Sequence, residues 1–272
     1  MAFSHLSCLE PIERIVTSEG KEVPVWRLSI PVGESLLSEW ATHFRNHYCL
    51  DEELDALRDG TGLSRKNYLV ELIFPDCSEP PGPAVRAGDF SEILISDYLE
   101  HVLGYWVPRD KYAEKAVRNE SVKGVDVVGF SLTSGNADSN DPRDHLIAFE
   151  VKAKLTARNY DGTLQDAINH SQKDSLRRAL TLNASKRRLR LQGKIQESLI
   201  VQRFQNPTDY PYVYESGAAA VISDTSYVAE QIASTTVTTS HSNAENLSLM
   251  VVQGSELMNL VSALYERAAN EA

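Results

Sequence analysis

The chain has 272 residues, of which 42% are hydrophobic and 24% are charged, and its formal net charge is −11. A chain of this length can bury a substantial core, and these proportions are ordinary for a globular protein. No apolar run approaches the ~18 residues of a membrane-spanning helix, and the start of the chain lacks the basic and apolar regions of a signal peptide. Cys8, Cys49 and Cys77 are too scattered to predict a disulfide framework or a zinc cluster. We therefore expect a cytoplasmic protein with no membrane partner.

The first 80 residues predict a small α+β module. Residues 10–28 have the pattern of two short strands around a Ser-Glu-Gly-Lys turn. Apolar residues at helical spacing predict a helix over 33–50, and a short acidic helix follows at 50–58. The apolar run "NYLVELIF", residues 67–74, predicts a strand.

A proline-rich segment follows this module. Residues 75–87, "PDCSEPPGPAVRA", contain four prolines and a glycine, which predict a linker or a rigid loop. We therefore expect an N-terminal module over residues 1–80, for which partner docking is our hypothesis, and a second domain over residues 86–272.

The second domain is predicted to alternate helices and strands. Its first helix covers about 88–104, with Asp89 or Ser91 as the N-cap residue. The later elements are strands at 124–132 and 145–155, a helix from about 163 to 182 that continues after a break into a basic stretch, strands at 215–224 and 246–254, and a helix at 255–272. This order predicts an α/β fold with a mixed central sheet flanked by helices.

Charged residues interrupt two of the predicted strands. Asp126 lies in "SVKGVDVVGF", and Glu150 and Lys152 lie on one face of "HLIAFEVKAKLT". Two buried acids on neighbouring strands need a cation between them, and Mg²⁺ or Mn²⁺ suits carboxylate and carbonyl oxygens. Lysine beside such an ion can position a water molecule or stabilise charge on phosphate. Each residue taken alone is more often part of a structural ion pair.

A basic stripe follows these strands. Residues 173–194 contain eight Lys/Arg and one Asp, a net charge of +7, so the rest of the chain carries −18. Such a stripe could be a solvated helix face or could bind a phosphate backbone. Because it follows the acidic strand across a single helix, we favour contact with nucleic acid. The candidate contacts are Lys123, Gln172, Lys173, Arg177 and Arg178.

This arrangement resembles the PD-(D/E)xK nuclease superfamily. Its pattern is an acid on one strand, here Asp126, then Glu-x-Lys at the end of the next strand, here Glu150 and Lys152, and then a helix. Val-Asp at Asp126 replaces the usual Pro-Asp, and Glu92 fills the place of a glutamate that many members carry on the preceding helix. The resemblance implies a restriction-endonuclease-like fold that cleaves phosphodiesters with bound Mg²⁺ or Mn²⁺. The metal would then be bound by Asp126, Glu150 and the Val151 carbonyl, with Glu92 assisting. Lys152 would position the attacking water.

Four further stretches narrow this resemblance to one family. "RAGDFSEILISDYLE", "VKGVDVVGF", "FEVKAKLT" and "NLSLMVVQG" are similar to the HamA family, the nuclease subunit of the bacterial anti-phage defence system Hachiman. The similarity covers roughly residues 86–267 and extends more weakly to the N-terminal module. It implies DNA as substrate and a separate helicase subunit, HamB, that restrains the nuclease until aberrant DNA ends are sensed. The sequence has no Gly-x-x-x-x-Gly-Lys-Ser/Thr loop, so we expect any ATP use to belong to the partner.

Two other hypotheses stay open. The chain could be a catalytically silent nuclease-fold module that binds DNA ends or bridges proteins, in which case Lys152 would pair structurally with Glu150. It could also be a nuclease that acts on RNA, since the motif does not distinguish the sugar.

Overall fold

A computed structural model describes residues 4–31, 33–113 and 115–272, with side chains throughout except at 175 and 176. Its strands are β1 (Leu9–Val16), β2 (Glu22–Leu28), β3 (Val127–Ser131), β4 (His145–Lys154), β5 (Val213–Ser223) and β6 (Leu247–Gly254). They form one six-stranded sheet in the order β1-β2-β6-β5-β4-β3. The four central strands are parallel, and the edge strands β1 and β3 run antiparallel to their neighbours. The predicted mixed central sheet is confirmed.

Helices connect and cover these strands. They are α1 (Glu34–Asn46), α2 (Leu54–Arg58), α3 (Arg65–Tyr68), α4 (Gly82–His101), α5 (Thr163–Ser171), α6 (Asp174–Leu191), α7 (Ile195–Arg203), α8 (Ala229–Thr235) and α9 (Leu257–Asn270). Over the described residues, every helix is too short or too polar to cross a membrane.

The alternation of side chains along β4 divides the core into two layers. Ile147 and Phe149 point to one face of the sheet, where they join a cluster that contains side chains of α1, α4 and α9. Leu146 and Ala148 point to the other face and pack against α6 and α7, while α5 covers that face nearer β5 and β6. Glu150 follows the even-numbered set, so its side chain is directed to the layer that contains α6.

The N-terminal strands belong to the same sheet as the rest of the chain. Val25 of β2 is paired with Val251 of β6, and both side chains are fully buried. On the adjacent face, the ring of Phe44 in α1 meets that of Tyr265 in α9 edge-on, with centroids 4.8 Å apart. Residues 1–80 and 86–272 therefore share one sheet and one core, and a boundary between them stays a prediction.

The predicted strand at 67–74 is wrong, because this segment is helical. Ser64 accepts a hydrogen bond from the Asn67 N–H and caps α3, which continues as a π-helix over Leu69–Ile73. Only part of the apolar run is buried, since Val70 and Leu72 are 38% and 50% exposed. A short apolar run of this kind does not distinguish a strand from a helix by periodicity.

The start of α4 also differs from the prediction. The helix begins at Gly82, inside the proline-rich segment, with Pro83 in its first turn, where a missing N–H costs no intrahelical hydrogen bond. Asp89 and Ser91 consequently lie inside the helix and are buried, and neither caps it.

Candidate active site

Asp126 and Glu150 come together at the edge of the sheet. Asp126 directly precedes β3, and the pairing of Val127 with Phe149 places it opposite the stretch of β4 that contains Glu150. The Val151 N–H donates a hydrogen bond of 2.9 Å to Asp126 Oδ2. The predicted proximity of the two acidic strands is therefore found in the structure.

Three cationic or ionisable side chains surround Glu150, which is only 2% exposed. Lys152 Nζ lies 2.6 Å from Oε1, as expected for residues that share a strand face. Arg177 Nη1 of α6 lies 3.1 Å from Oε2, and His170 Nδ1 of α5 lies 3.4 Å from Oε1. The buried carboxylate is thus compensated by protein groups, as a buried charge requires.

Asp174, which sequence reasoning did not select, is a further acid at this site. It is fully buried at the start of α6, with Oδ1 3.5 Å from Arg177 Nη1, so the guanidinium lies between Asp174 and Glu150. Its Oδ2 atom is buried without a hydrogen-bond partner. Burial, and then the charge of Glu150, raise the pKa of Asp174 to about 8. One feature of the sequence could have identified Asp174 as a site residue. It is the single acid of the basic stripe, and it follows a break between two helices.

Glu92 reaches the same edge from α4 through a lysine. Lys111 Nζ donates to Glu92 Oε2 at 2.5 Å and to the Asp126 carbonyl at 2.8 Å, and it lies 3.9 Å from Asp126 Oδ1. Tyr112 donates a second hydrogen bond to Glu92, at 2.6 Å. Burial raises the pKa of Glu92 to about 7, against the opposing effect of Lys111, and burial also raises the pKa of Asp126. The Lys111 ammonium thus occupies the cation position between two acids.

Lys111 belongs to a segment whose basic residues pair with a row of acids on α4. The acids Asp89, Glu92 and Asp97 recur at intervals that place them on one side of the helix. Lys115 Nζ lies 2.5 Å from Asp89 Oδ2, and Arg109 Nη2 lies 2.8 Å from Asp97 Oδ1. These contacts hold the chain after α4 against the helix. No motif in the sequence indicates this segment, because its ion pairs form only in the tertiary structure.

The acids at this edge do not form a ready-made metal cage. Among the described residues, one trio of His, Cys, Asp and Glu has its ligand atoms all within 4.8 Å of one another, and it is His5, His43 and Asp97. At the β3–β4 edge, lysine and arginine nitrogens lie between the carboxylates instead. Asp174 Oδ2 nevertheless has no hydrogen-bond partner, and the pKa values of Glu92, Asp126 and Asp174 are raised. The lysine and arginine side chains therefore do not fully compensate these acids, and a divalent ion with oxygen ligands would fit beside them.

A cleft of ≈ 570 Å³ opens beside Asp126, between the chain that follows α4 and the outer side of α6. Its walls are partly apolar and carry several cations. The charged lining residues are Arg109, Asp110, Lys111, Lys123, Asp126, Arg177 and Arg188. Lys123, predicted as a phosphate contact, is exposed at this cleft.

The basic stripe is only partly available to a ligand. Lys173 is exposed, but Arg178 lies over the ring of Tyr214, with its guanidinium carbon 4.2 Å from the centroid. Gln172 is half-buried and has a protein partner. Arg188 Nε donates to Asp110 Oδ2 at 2.7 Å. The exposed cations of the stripe are Lys173, Arg187, Arg190 and Lys194.

A mixed sheet between two helical layers, with buried and half-buried acids and half-buried lysines at its edge, defines an α/β protein with a nuclease-like fold. The sequence matches the HamA family profile over residues 4–268, so the chain belongs to the HamA family. It is therefore a component of a Hachiman defence system. No curated protein matches the chain. Membership of the PD-(D/E)xK superfamily stays a prediction.

Proposed function

We propose that the chain is a metal-dependent DNA nuclease, the effector of its Hachiman system, controlled by the helicase subunit HamB. The observation that carries this proposal is the meeting of Asp126, Glu150 and Lys152 at the end of two neighbouring strands. The additional buried acid Asp174 supports it, because a structural ion pair would not require an orphaned carboxylate oxygen. Family membership supports the defence role.

Four groups would hold Mg²⁺ or Mn²⁺ at this edge. Asp126, Glu150 and the Val151 carbonyl offer oxygen ligands, and Glu92 assists from α4. A bound ion supplies charge neutralisation at the scissile phosphate and lowers the pKa of a water ligand. The ammonium groups of Lys111 and Lys152 lie against Glu92 and Glu150, so metal binding is expected to move them away from these acids.

The basic groups beside these acids would act on phosphate and water. Lys152, on the strand that carries Glu150, can orient the attacking water or stabilise negative charge on the phosphate oxygens. Arg177 can contact the same phosphate group from α6. Glu92, whose pKa is about 7, can exchange a proton with water near neutral pH.

DNA would approach along the cleft and α6. Lys123 and Lys173 are exposed on the two sides of the site and can bind backbone phosphates. Gln172 and Arg178 were candidate contacts in the sequence, but in the ligand-free chain both have protein partners. Their contact with DNA therefore requires that these partners be exchanged. RNA would bind by the same phosphate contacts and is the alternative substrate to compare.

A silent binding module remains the second candidate function. The observation that favours it is the compensation of Glu150 by the side chains of Lys152, Arg177 and His170. Such a chain would bind DNA ends or bridge proteins, and the same experiment separates it from a nuclease.

The test is degradation of plasmid and linear DNA with Mg²⁺, by the full chain alone and with HamB. Glu150→Gln and Lys152→Ala are each expected to reduce cleavage by roughly 10²-fold or more, as for other charge-stabilising groups. Glu230→Gln, at an exposed position of α8, is the matched control and should retain full activity. Melting curves of all variants confirm that the fold is kept.

The outcomes assign the function. Cleavage that survives Glu150→Gln would contradict this site. No cleavage by the unaltered chain in any combination, with DNA binding retained, would establish the silent module. Cleavage of RNA in preference to DNA would correct the substrate.

A further inference from the structure

A second cluster of potential ligands lies apart from the β3–β4 edge. His5 comes from the turn that precedes β1, His43 comes from α1, His47 directly follows α1, and Asp97 comes from α4. We call these four residues the histidine cluster. They meet where the N-terminal segment and α1 pack on the outer side of α4.

The rings of the histidine cluster are buried and held by aromatic contacts. His5 is 1% exposed and Asp97 is fully buried. The His5 ring stacks on Trp40, with centroids 4.9 Å apart and planes 8° from parallel, and its other neighbour is the ring of His43 at 5.1 Å. His43 in turn meets His47 edge-on at 4.9 Å. Positions fixed in this way need little reorganisation to bind a ligand.

The Nε2 atoms of His5 and His43 both lie within hydrogen-bond distance of the Asp97 carboxylate. His5 Nε2 lies 2.9 Å and His43 Nε2 lies 3.1 Å from Asp97 Oδ2. His47 Nε2 lies 3.3 Å from His43 Nε2. Ligands bound tetrahedrally to zinc at about 2.0–2.1 Å are about 3.3 Å apart, close to these separations.

The second oxygen of Asp97 has its own support. Arg109 Nη2 lies 2.8 Å from Asp97 Oδ1, which His43 Nε2 also approaches at 3.0 Å, so the guanidinium anchors the carboxylate while Oδ2 lies next to both His5 and His43. Metal-bound carboxylates are commonly held by such a hydrogen-bonded group in the outer shell. Arg109 Nη1 also donates to His47 Nε2, at 3.2 Å, so His47 would have to exchange this contact before it could bind a metal.

We propose that the histidine cluster is a binding site for a divalent transition-metal ion, zinc in the first place. His5 Nε2, His43 Nε2 and Asp97 Oδ2 are the ligands, and His47 Nε2 is the nearest candidate for a fourth. Two imidazole nitrogens suit zinc and disfavour Mg²⁺, which prefers oxygen. The ion takes the place of the hydrogen bonds between these rings and Asp97, and each ring then binds as a neutral imidazole through Nε2, with its proton on Nδ1.

The consequence would be structural. The ion would fasten the N-terminal turn and α1 to α4, three elements that are far apart in sequence. Through Arg109 it would also stabilise the segment that carries Lys111, and so the surroundings of Glu92. This role is independent of the nuclease proposal, because it needs no catalysis.

The test uses the full chain, treated with a chelator and then titrated with Zn²⁺, and with Co²⁺ as a visible-absorbing substitute. We expect about one high-affinity ion per chain and a rise in melting temperature of roughly 5 °C with saturating Zn²⁺. His43→Gln should lose both effects. His101→Gln, a neighbouring histidine outside the trio, and Glu150→Gln, which alters the other site, should keep them.

Three results would overturn the proposal. They are the absence of a stoichiometric Zn²⁺ or Co²⁺ complex of the unaltered chain, an unchanged Co²⁺ spectrum in His43→Gln, and loss of the ion in Glu150→Gln. If His43→Gln fails to fold, the imidazole ¹⁵N NMR signals of the unaltered chain test the proposal instead. They must shift for His5 and His43 on addition of Zn²⁺, and not with Mg²⁺ alone, and unmoved signals would leave a purely hydrogen-bonded cluster.

Discussion

Asp174 carries a buried carboxyl group with one oxygen unpaired, close to a second buried acid. Folding therefore favours its protonated form, and its pKa rises to about 8. In the unfolded chain the same group ionises near ~4. Between these two values the folded state holds a proton that the unfolded state has lost, so the contribution of Asp174 to stability is complete below about pH 4 and falls as the pH rises to about 8.

Asp174→Asn should remove this pH dependence, because asparagine keeps the shape of the side chain and cannot ionise. We expect the variant to gain stability over the unaltered chain as the pH rises, by roughly 1–3 kcal/mol near pH 8. Near pH 4 the two should unfold at similar denaturant concentrations. Urea unfolding at several pH values measures the difference, and Asp138→Asn, in an exposed turn, is the control. If the free energies of unfolding of the Asp174 variant and the unaltered chain changed in parallel with pH, the raised pKa of Asp174 would be contradicted.

The residues that sequence alone located are those whose chemistry follows from a strand pattern. Glu150 and Lys152 interrupt an apolar run at a spacing of two, and the structure places them in contact. Lys111 and Asp174 carry no such signal, because their roles depend on elements that become neighbours only in the folded chain. The sequence could therefore indicate the acid pair but not the groups that compensate it.

At the scale of elements, long periodic segments were predicted well and short ones were not. The apolar pattern of β4 and the spacing in α9 are confirmed as a strand and a helix. The run at 67–74 is a helical turn followed by a π-helix, because its apolar residues are too few to set a period. Likewise, a proline-rich stretch predicts a loop by composition, yet proline is compatible with the first turn of α4.

Close packing between β4 and β5 predicts a sharp response to one added methyl group. Gly217 of β5 is paired with Phe149 of β4, and a Cβ atom at Gly217 would overlap the Phe149 ring. Because that ring is buried in the core, it cannot move aside freely. Gly217→Ala should therefore destabilise the chain by roughly 1–3 kcal/mol, as overpacking does in other cores.

Gly88→Ala is the matched control for this prediction. Gly88 lies inside α4, and a Cβ atom there would meet nothing within 4 Å. Alanine in this position should stabilise the helix by about 0.5–1 kcal/mol. Denaturant unfolding of both variants gives the comparison, and equal free energies of unfolding for the two would rule out the packing argument.

At the scale of the whole molecule, the N-terminal third completes the sheet. β2 lies along β6 and covers what would otherwise be an open edge, while α1 supplies Trp40 and Phe44 to the cluster that also contains Phe90 and Tyr265. Local patterns predict these elements but not their partners, and residues from both predicted parts contribute to one sheet and one core. The family match, over residues 4–268, likewise spans both parts.

This continuity predicts that residues 86–272 do not fold alone. Removing the first 85 residues uncovers the β6 edge and the face of α9 that contacts α1. Unpaired strand edges and exposed core side chains favour association between molecules. We expect the fragment to lack a cooperative melting transition and to aggregate. Residues 1–85 added as a separate chain should restore a soluble, cooperatively unfolding complex. A fragment that is monomeric and melts sharply by itself would show instead that the boundary near residue 80 separates two independent domains.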